Sequence, residues 1–239
     1  MKVSIVILNW NTLDYLKACV SSIQDNMDPR LYELIIVDNG SEEEGTIEYI
    51  EQVADIPIYN ETNKGFSGGN NIGARESNQE FICFLNSDTV VGPNCFEDML
   101  KVFEENPGCG AVGPCANPIR SEVDGVMYNF PQWKGMITED RQVPALIGFC
   151  ILIKRSVFEE IGGWCEDFKV GNYEDRYISE MVKGAGYELW LSAKADLTHE
   201  KPGRTFEKNQ VDYNKHLLDN KRLFEEKMEE LKNGREKEN

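Results

Sequence analysis

The sequence predicts an α/β protein in which a mostly parallel central sheet is flanked by helices. Short, continuously apolar runs such as Val3–Leu8 and Leu34–Val37 alternate with helix-like segments in the first half of the chain. Such runs are typical of parallel strands that are covered on both faces. Alternation of strands and helices at this spacing favours right-handed crossovers, and therefore a doubly wound, Rossmann-like sheet. At 239 residues the chain is long enough for one large domain of this kind.

The first half supplies four predicted strands, each followed by a helix. After the first strand, Asn11 or Thr12 is expected to cap a helix, because apolar residues then recur at helical spacing. In chain order, the predicted elements are a strand over 3–8, the capped helix, a strand over 34–37, an acidic helix from about 42, a strand over 56–59, a helix around 69–76, a strand over 81–85 and a helix over 94–105.

The second half is less regular. Residues 108–144 hold glycine, proline and aromatic residues with little periodicity, and we expect short strands and loops there, in an insertion that faces the substrate. The remaining predicted elements are a strand over 146–153, a short helix from 156, a turn at 162–164, a helix over 173–183, a strand over 188–192 and a C-terminal helix over 212–231, after which the chain is expected to fray.

The charge balance excludes polyanion binding as a default function. With 25 Lys and Arg against 42 Asp and Glu, the formal net charge is -17. A field of this sign repels the phosphates of nucleic acids and anionic lipid headgroups, so we expect no nucleic-acid partner. An anionic substrate such as a nucleotide diphosphate would need a divalent cation or a helix N-terminus beside it.

Cysteine usage and hydropathy predict a cytoplasmic protein. The seven cysteines include no Cys-x-x-Cys pair, and several lie in apolar runs, which is typical of a reducing compartment. Met1 leads directly into a strand-like run, so we expect no signal peptide. The longest apolar stretch, Ala145–Ile153, is shorter than the roughly 20 residues that cross a bilayer. Peripheral association with the inner face of the membrane remains compatible with the sequence.

Polar residues of one kind follow four of the predicted strands. Because ligands of open α/β sheets bind beyond the carboxyl ends of the strands, these residues are candidates for a binding site. Asn and Asp suit the recognition of a base and a ribose, and glycines allow close approach of a ligand. Singly, each could simply form a turn, but together they favour a nucleotide site. The candidates are Asn9, Asn11, Asp38, Asn63, Gly65, Gly69, Asn71, Asn86, Ser87 and Asp88.

Several of these motifs, in this order, resemble a known family. They are Val3 to Asn11, Ile36 to Ser41, Asn63 to Asn71, Phe84 to Thr89, Gly162-Gly163-Trp164, Tyr173-Glu174-Asp175, Gly186-Tyr187 and Thr198-His199. Over roughly residues 3–200 the chain resembles the family 2 glycosyltransferases, which have the GT-A fold and invert the anomeric centre, and it is similar to the rhamnosyltransferase-like members.

The resemblance implies roles for the candidate donor and metal residues. Asp38 would hold the nucleotide base or ribose with Asn11 nearby, and Asn63 with the glycines after it would line the donor pocket. The segment Asn86-Ser87-Asp88 stands where the family has its Asp-x-Asp metal motif, so Asp88 would be the main carboxylate ligand of Mn²⁺ or Mg²⁺. His199 would be a further ligand. Without the resemblance, a capped or solvated loop histidine is the preferred interpretation of His199.

The resemblance also implies a general base. The family uses the Asp of a Glu-Asp motif, which here is Glu174-Asp175, to deprotonate the acceptor hydroxyl. The alternative is an acidic pair that favours a helix N-terminus. Many members of the family have a further Asp two residues after this motif, whereas this chain continues with Arg176 and Tyr177. The resemblance therefore leaves the type of acceptor open. Aromatic residues that could stack on a sugar, or simply pack, are Tyr128, Phe130, Trp133 and Phe149.

The implied function is transfer of a sugar from a UDP- or dTDP-sugar to a hydroxyl of a glycan, lipid-linked or protein-linked acceptor, as in polysaccharide biosynthesis. We place a GT-A domain at 1–202, with a nucleotide-sugar-binding half at 1–107 and an acceptor and catalytic half at 108–202, and a helical tail at 203–239.

Three other functions can be compared with the sequence. A sugar nucleotidyltransferase needs a Gly-rich, basic phosphate loop after the first strand, and an NAD-dependent enzyme needs Gly-x-Gly-x-x-Gly there; Asn9-Trp10-Asn11-Thr12 matches neither. A non-catalytic subunit that binds nucleotide sugar or glycan stays open, favoured by Asn86 in the metal motif and by the missing second Asp.

Overall fold

A computed structural model of the protein describes residues 2–117, 119–123, 126–130, 134–169, 171–200 and 213–238. The strands in these residues are β1 (Val3–Asn9), β2 (Tyr32–Asp38), β3 (Ile56–Tyr59), β4 (Phe81–Asn86), β5 (Thr89–Val91), β6 (Cys109–Ala116), β7 (Ile119–Val123), β8 (Val126–Phe130), β9 (Arg141–Gln142), β10 (Cys150–Lys154) and β11 (Glu188–His199). The helices are α1 (Leu13–Asn26), α2 (Thr46–Val53), α3 (Gly65–Glu76), α4 (Cys95–Glu105), α5 (Arg155–Glu160), α6 (Glu174–Gly184) and α7 (Tyr213–Glu238).

One large sheet organises the described residues. Its strand order is β3-β2-β1-β4-β10-β6-β11-β5, and β9 pairs with β11 outside this path. Strands β3, β2, β1 and β4 are mutually parallel, β6 is parallel to β11, and β10 runs antiparallel to both of its neighbours. The prediction of a mostly parallel α/β sheet is therefore confirmed. Asn9 is level with Asp38, and Leu8 with Asn86, so the carboxyl ends of the first strands meet at one edge.

The core lies in two layers, one on each face of the sheet. Alternate residues of each inner strand point to opposite faces, so Ile5 and Ile7 pack with α1 and α4, while Val6 packs with α3, α5 and α6. All three side chains are fully buried. This double coverage is the physical reason that the strand sequences are apolar without alternation.

Strand β6 differs from the sequence-based expectation. We expected loops and short strands from 108 to 144, yet every residue of β6 is buried in the middle of the sheet. Its glycines are required by packing: a Cβ on Gly110 would lie 2.6 Å from Tyr187 Cβ, and one on Gly113 would lie 3.0 Å from the Leu146 side chain. Glycines needed for close packing gave this strand the composition of a loop. Strands β7 and β8 form a separate hairpin, as an insertion would.

The observed bounds of several other strands and helices also differ from the predicted ones. Strand β11 continues to His199 instead of ending at Ser192, because the short β5, which was not predicted, pairs antiparallel with its last residues. Helix α2 begins at Thr46 rather than near residue 42, and α3 begins four residues earlier than expected, at Gly65. The helix at the C-terminus extends to Glu238 instead of fraying. The proposed boundary at 202/203 lies outside the described residues. No helix in the described ranges combines the length and apolar character that crossing a bilayer requires.

Candidate active site

The ends of β1 and β2 are joined by a network of buried polar side chains. Asn9 Nδ2 donates to Asp38 Oδ1 at 3.1 Å and to Ser41 Oγ at 3.2 Å, and the backbone N–H of Ser41 donates to Asp38 Oδ2 at 2.9 Å. Thr12 Oγ1 donates to Asn9 Oδ1 at 2.9 Å and lies 3.0 Å from Ser87 Oγ. The network therefore connects three of the four strand ends that the sequence singled out, and it fixes the carboxylate of Asp38.

Asn11 links the loops after β1 and β2. Its φ of 53° lies in the left-handed region, which asparagine tolerates better than most residues. Its backbone N–H donates to Ser41 Oγ at 2.8 Å, and its Oδ1 accepts the N–H of Glu42 at 2.7 Å. These bonds hold the two loops together at the edge of the sheet.

Asn39 organises the loop that leads into α3; the sequence places it in the motif from Ile36 to Ser41, but it was not among the candidate site residues. Its Nδ2 donates to Asn63 Oδ1 at 2.8 Å, and its Oδ1 accepts the N–H of Lys64 at 2.9 Å. Asn63 Oδ1 also accepts the N–H of Gly65, whose φ of 76° begins the helix. The sequence feature that could have identified Asn39 is its position directly after Asp38, at the end of β2. From there its side chain reaches the neighbouring loop.

Gly69 and Asn71, in the segment from 63 to 71, serve the packing of α3. A Cβ on Gly69 would overlap the Leu8 side chain, so Gly69 lets the helix lie against β1. Asn71 clamps the turn at 162–164: its Oδ1 accepts the N–H of Trp164, and its Nδ2 donates to Trp164 O, both at 2.9 Å, and to Glu166 Oε1. Asn63 and Gly65 stay at the sheet edge, whereas the contacts of Gly69 and Asn71 position the helix.

Asp88 and His199 form a buried pair at the same edge. His199 Nε2 lies 3.1 Å from Asp88 Oδ1, and the backbone N–H of Glu200 donates to Asp88 O at 2.9 Å. The pairing of β5 with the end of β11 brings them together across 111 residues of sequence. Asn117 fixes the backbone of His199 from the other side, since it donates to His199 O at 3.1 Å and accepts its N–H at 2.9 Å. No sequence signal pointed to Asn117.

The separation of this pair is that of an ordinary hydrogen bond, and it is also compatible with two ligands of one divalent cation. Two donors at about 2.1 Å from an octahedral ion, at right angles, lie roughly 3 Å apart, which matches the 3.1 Å between the two side chains. His199 Nδ1 is buried, and no described group hydrogen-bonds it. Among the described residues no group of three or more His, Cys, Asp or Glu side chains could hold a metal ion. The remaining ligands of a cation here would have to be water or substrate oxygens.

Glu174 and Asp175 begin α6. Asp175 Oδ2 accepts the N–H of Gly148 at 3.1 Å, and its Oδ1 accepts the N–H of Arg176 at 2.7 Å. Burial, and next the charge of Asp175, raise the pKa of Glu174 to about 8. Desolvation raises the pKa of Asp175 as well, although this side chain is partly exposed. At neutral pH, Glu174 is therefore largely protonated.

A short loop before β10 contacts both Asp175 and His199. Gly148 holds the carboxylate of Asp175. Its neighbour Phe149 accepts the N–H of Asn86 through its carbonyl at 2.8 Å and lies with its ring centroid 5.0 Å from that of His199. Asp175 and His199 therefore contact two adjacent residues of one loop.

The structure thus gathers most of the sequence-predicted residues at one sheet edge. Phe149, one of the four candidate aromatic residues, packs on His199; the side chains of Tyr128, Phe130 and Trp133 lie outside the described part. A separate cleft of about 320 Å³ is lined by none of the predicted site residues. Its lining comes from α4, residues 138–140 and β11, and it mixes carboxylates with the ammonium groups of Lys101 and Lys194.

The fold and the site define a class: an α/β protein whose strand ends carry Asn, Asp and a carboxylate–imidazole pair beside a partly exposed carboxylate. Comparison with known proteins assigns the family. Residues 4–162 match the family described as glycosyl transferase family 2. The chain belongs to this family, and its fold is GT-A.

A relative from Haemophilus influenzae, named an uncharacterized glycosyltransferase, is 31% identical over 166 residues, which are 67% of this chain and 55% of the relative. The structure of GalNAc-T7 with UDP, GalNAc and Mn²⁺ matches with a TM-score of 0.70 and 18% identity, over 83% of this chain and 44% of that one. The mannosyltransferase PcManGT from Pyrobaculum calidifontis, in complex with GDP-Man and Mn²⁺, matches with a TM-score of 0.66 and 16% identity, over 85% and 58%.

The chain spans 24%, 55% and 17% of the lengths of three curated relatives that it matches. At the identities of the two solved structures, the likeness establishes the fold.

Proposed function

We propose that this glycosyltransferase moves a sugar from a nucleotide diphosphate to an acceptor hydroxyl with inversion, with Asp175 as the general base. One observation carries the proposal: adjacent residues of one loop contact both groups, since Gly148 donates its N–H to Asp175 and the Phe149 ring packs on His199, the partner of Asp88. A base and a cation-holding pair beside the same loop suit a displacement in which the nucleophile enters on one face and the diphosphate leaves on the other.

The donor half would bind the nucleotide at the ends of β1 and β2. Asp38 is held by Asn9 and the Ser41 N–H, so its carboxylate is oriented before a ligand arrives. Asn11 and Asn63 lie on the loops to either side. Fixed polar groups lose little conformational entropy on binding, and this preorganisation supports a role in recognising base and ribose.

Asp88 and His199 would hold Mn²⁺ or Mg²⁺, with Asn86 and Ser87 beside them. A bound cation supplies positive charge that offsets the negative charge developing on the leaving diphosphate. In a chain with net charge -17, such help is needed for a doubly anionic group to enter the site. The Mn²⁺ in the two solved relatives supports this choice of cofactor.

Asp175 would take the proton of the acceptor hydroxyl. The oxygen then forms a bond to the anomeric carbon while the bond from that carbon to the diphosphate breaks, and the nucleotide diphosphate leaves. The N–H groups of Gly148 and Arg176 orient the carboxylate. Burial raises the pKa of Asp175, which strengthens it as a base. Protonated Glu174 leaves one negative charge in the pair, so the acceptor meets a single carboxylate.

The donor nucleotide and the acceptor are the finer part of the proposal. A UDP- or dTDP-sugar is the donor that the resemblance favours, although one similar structure holds GDP-Man. The acceptor would be a hydroxyl of a glycan, lipid-linked or protein-linked, in polysaccharide biosynthesis. We place the reaction in the cytoplasm, with peripheral contact at the membrane.

The test is a panel of UDP-, dTDP- and GDP-sugars with Mn²⁺, followed by donor cleavage and by transfer to hydroxyl acceptors. Asp175→Asn should keep donor binding and lower turnover by about 10²- to 10⁴-fold. Asp25→Asn, an exposed position on α1, is the matched control. Full turnover in Asp175→Asn would remove Asp175 from the role of base.

The rival is a non-catalytic subunit that binds nucleotide sugar. It is favoured by Asn86, which supplies no second charged ligand at the metal motif. A protein that binds a donor in the panel but neither cleaves nor transfers it, at any acceptor tried, supports this rival over the transferase.

A further inference from the structure

The side-chain amide of Asn220, on helix α7, is buried against the main domain. Asn220 is 5% exposed, and its Nδ2 lies 3.2 Å from Lys169 O, 2.8 Å from Gly171 O and 3.1 Å from Asn172 O. An amide carries two donor hydrogens, so the three carbonyls share them. All three carbonyl groups belong to the segment that leads directly into Glu174 and Asp175.

This segment has an unusual backbone. Asn172 has a φ of 82° and Tyr173 a φ of 72°, so two consecutive residues other than glycine adopt the left-handed region. For a bulky residue such as tyrosine this conformation is a clear outlier. Strained conformations of this kind persist where the surroundings over-determine them, and they concentrate at functional sites. Tyr173 is also the N-cap of α6, so its backbone sets the direction in which the helix starts.

Further contacts from α7 support the same segment. The rings of Tyr173 and Phe224 lie 5.6 Å apart, and Lys227 Nζ forms an ion pair with Asp167 at 2.6 Å. From α6, the guanidinium of Arg176 lies 5.8 Å from the Tyr173 ring centroid. Helix α7 therefore contacts this segment near Asp167 and at Tyr173, and Asn220 bonds the backbone between them.

We propose that Asn220 is a positioning residue for Asp175: it holds the left-handed turn at Asn172 and Tyr173, and so sets where α6 presents its first carboxylates. The inference rests on the proposed function, in which Asp175 is the base. Without the amide, the carbonyls of Gly171 and Asn172 lose their donor, and the turn relaxes towards negative φ. The first turn of α6 then shifts, and Asp175 leaves the N–H of Gly148.

The activity test compares Asn220→Ala and Asn220→Asp with wild type. The second variant keeps the size of the side chain and leaves no cavity, but it places an oxygen where the amide donated. A displacement of about 1 Å can cost roughly 10²-fold in rate, so we expect kcat for transfer to fall by that order. Affinity for the nucleotide should stay within about twofold, because Asn220 touches none of the strand-end groups. Asn233→Ala, exposed on the same helix, is the matched control.

A rescue experiment separates positioning from general stability. Glycine adopts positive φ about as readily as negative φ, so Asn172→Gly makes the turn less dependent on its support. In the Asn220→Ala background, we expect Asn172→Gly to restore kcat by at least tenfold. Glycine at a positive φ can also raise the free energy of unfolding, so unfolding is measured for each variant, and recovery of kcat without recovery of the free energy of unfolding indicates positioning.

Amide hydrogen exchange gives a readout that needs no substrate. In Asn220→Asp, amides of residues 173–177 should exchange at least tenfold faster, while those of β1 keep their wild-type rates. If wild type proves inactive, the proposed function fails, but exchange still decides whether Asn220 holds this turn. Wild-type kcat together with wild-type exchange in both variants overturns the inference; so does a loss of nucleotide affinity as large as the loss of kcat.

Discussion

The buried carboxyl of Glu174 should make the stability of the protein fall as pH rises through neutrality, and Glu174→Gln should remove this dependence. Glu174 is 6% exposed, and burial raises its pKa from an ordinary 4.5 to about 8. A group with a higher pKa in the folded state binds more protons folded than unfolded between these two values, so the free energy of unfolding decreases with pH there. The contribution is complete below about pH 4.5 and lost by about pH 8.

The magnitude follows from the same two values. Each pKa unit corresponds to about 1.36 kcal/mol, so the interval from 4.5 to about 8 sets a ceiling of about 5 kcal/mol. Part of the effect arises from the charge of Asp175, and we expect about 2–5 kcal/mol in total. Glutamine cannot titrate, so the variant should gain stability relative to wild type steadily from pH 5 to pH 8.

The assay is urea unfolding of both proteins at one-unit steps of pH from 5 to 9. The difference between them cancels the titrating groups that do not interact with Glu174, so its slope reports Glu174 together with its neighbour Asp175. Any constant cost of the amide appears as an offset without slope. Glu226→Gln, exposed on α7, should give a flat difference, since its carboxyl is solvated folded and unfolded. A difference for Glu174→Gln that changes by less than about 0.5 kcal/mol over this range would refute a protonated, buried Glu174.

Three further outcomes are expected. Asp88→Ala and His199→Ala should each weaken Mn²⁺-dependent nucleotide binding at least about tenfold, and unchanged Mn²⁺ titrations by calorimetry would contradict the metal assignment. Gly73→Ala should lower the free energy of unfolding by about 1–3 kcal/mol, because the new Cβ meets buried valines of β1 and β2; Gly68→Ala, which faces a lysine side chain, should be near neutral, and equal effects would disprove the packing argument. With a thiol-reactive disulfide reagent, the native protein should show one fast thiol, Cys165, and seven after denaturation, since the other six are buried; several fast thiols in the native state would contradict this.

The parts of the fold that the sequence predicts well are those whose residues are buried on both sides of the sheet. Strand Ile56–Tyr59 has the predicted bounds, and β1, β2 and β4 extend one or two residues beyond theirs. Apolar periodicity reports burial directly, so these elements need no long-range information. Strand β6 was not predicted because its glycines are required for close packing against Tyr187 and Leu146, which lie far along the chain.

The candidate site shows the same division. Asn9, Asp38 and Asp88 lie at strand ends and can be found from the sequence by the rule that ligands bind there. The pairing of Asp88 with His199 depends on β5, whose three residues are too short to give a periodic signal. Asn220 follows from no local pattern, since its partners are three backbone carbonyls about 50 residues earlier, and backbone carbonyls are the same in every residue.

The antiparallel strand β10 has a consequence for how the chain can be divided. It is wedged between β4 and β6, and Cys150 pairs with Leu85 from 65 positions away. A fragment that stops before β10 would expose the unpaired, apolar edge of β4 to solvent. Such an edge can pair with another chain and cause aggregation. Residues 1–107 and 108–202, the proposed donor and acceptor halves, therefore share one sheet, and we expect the first to complete its folding only when β10 has been synthesised.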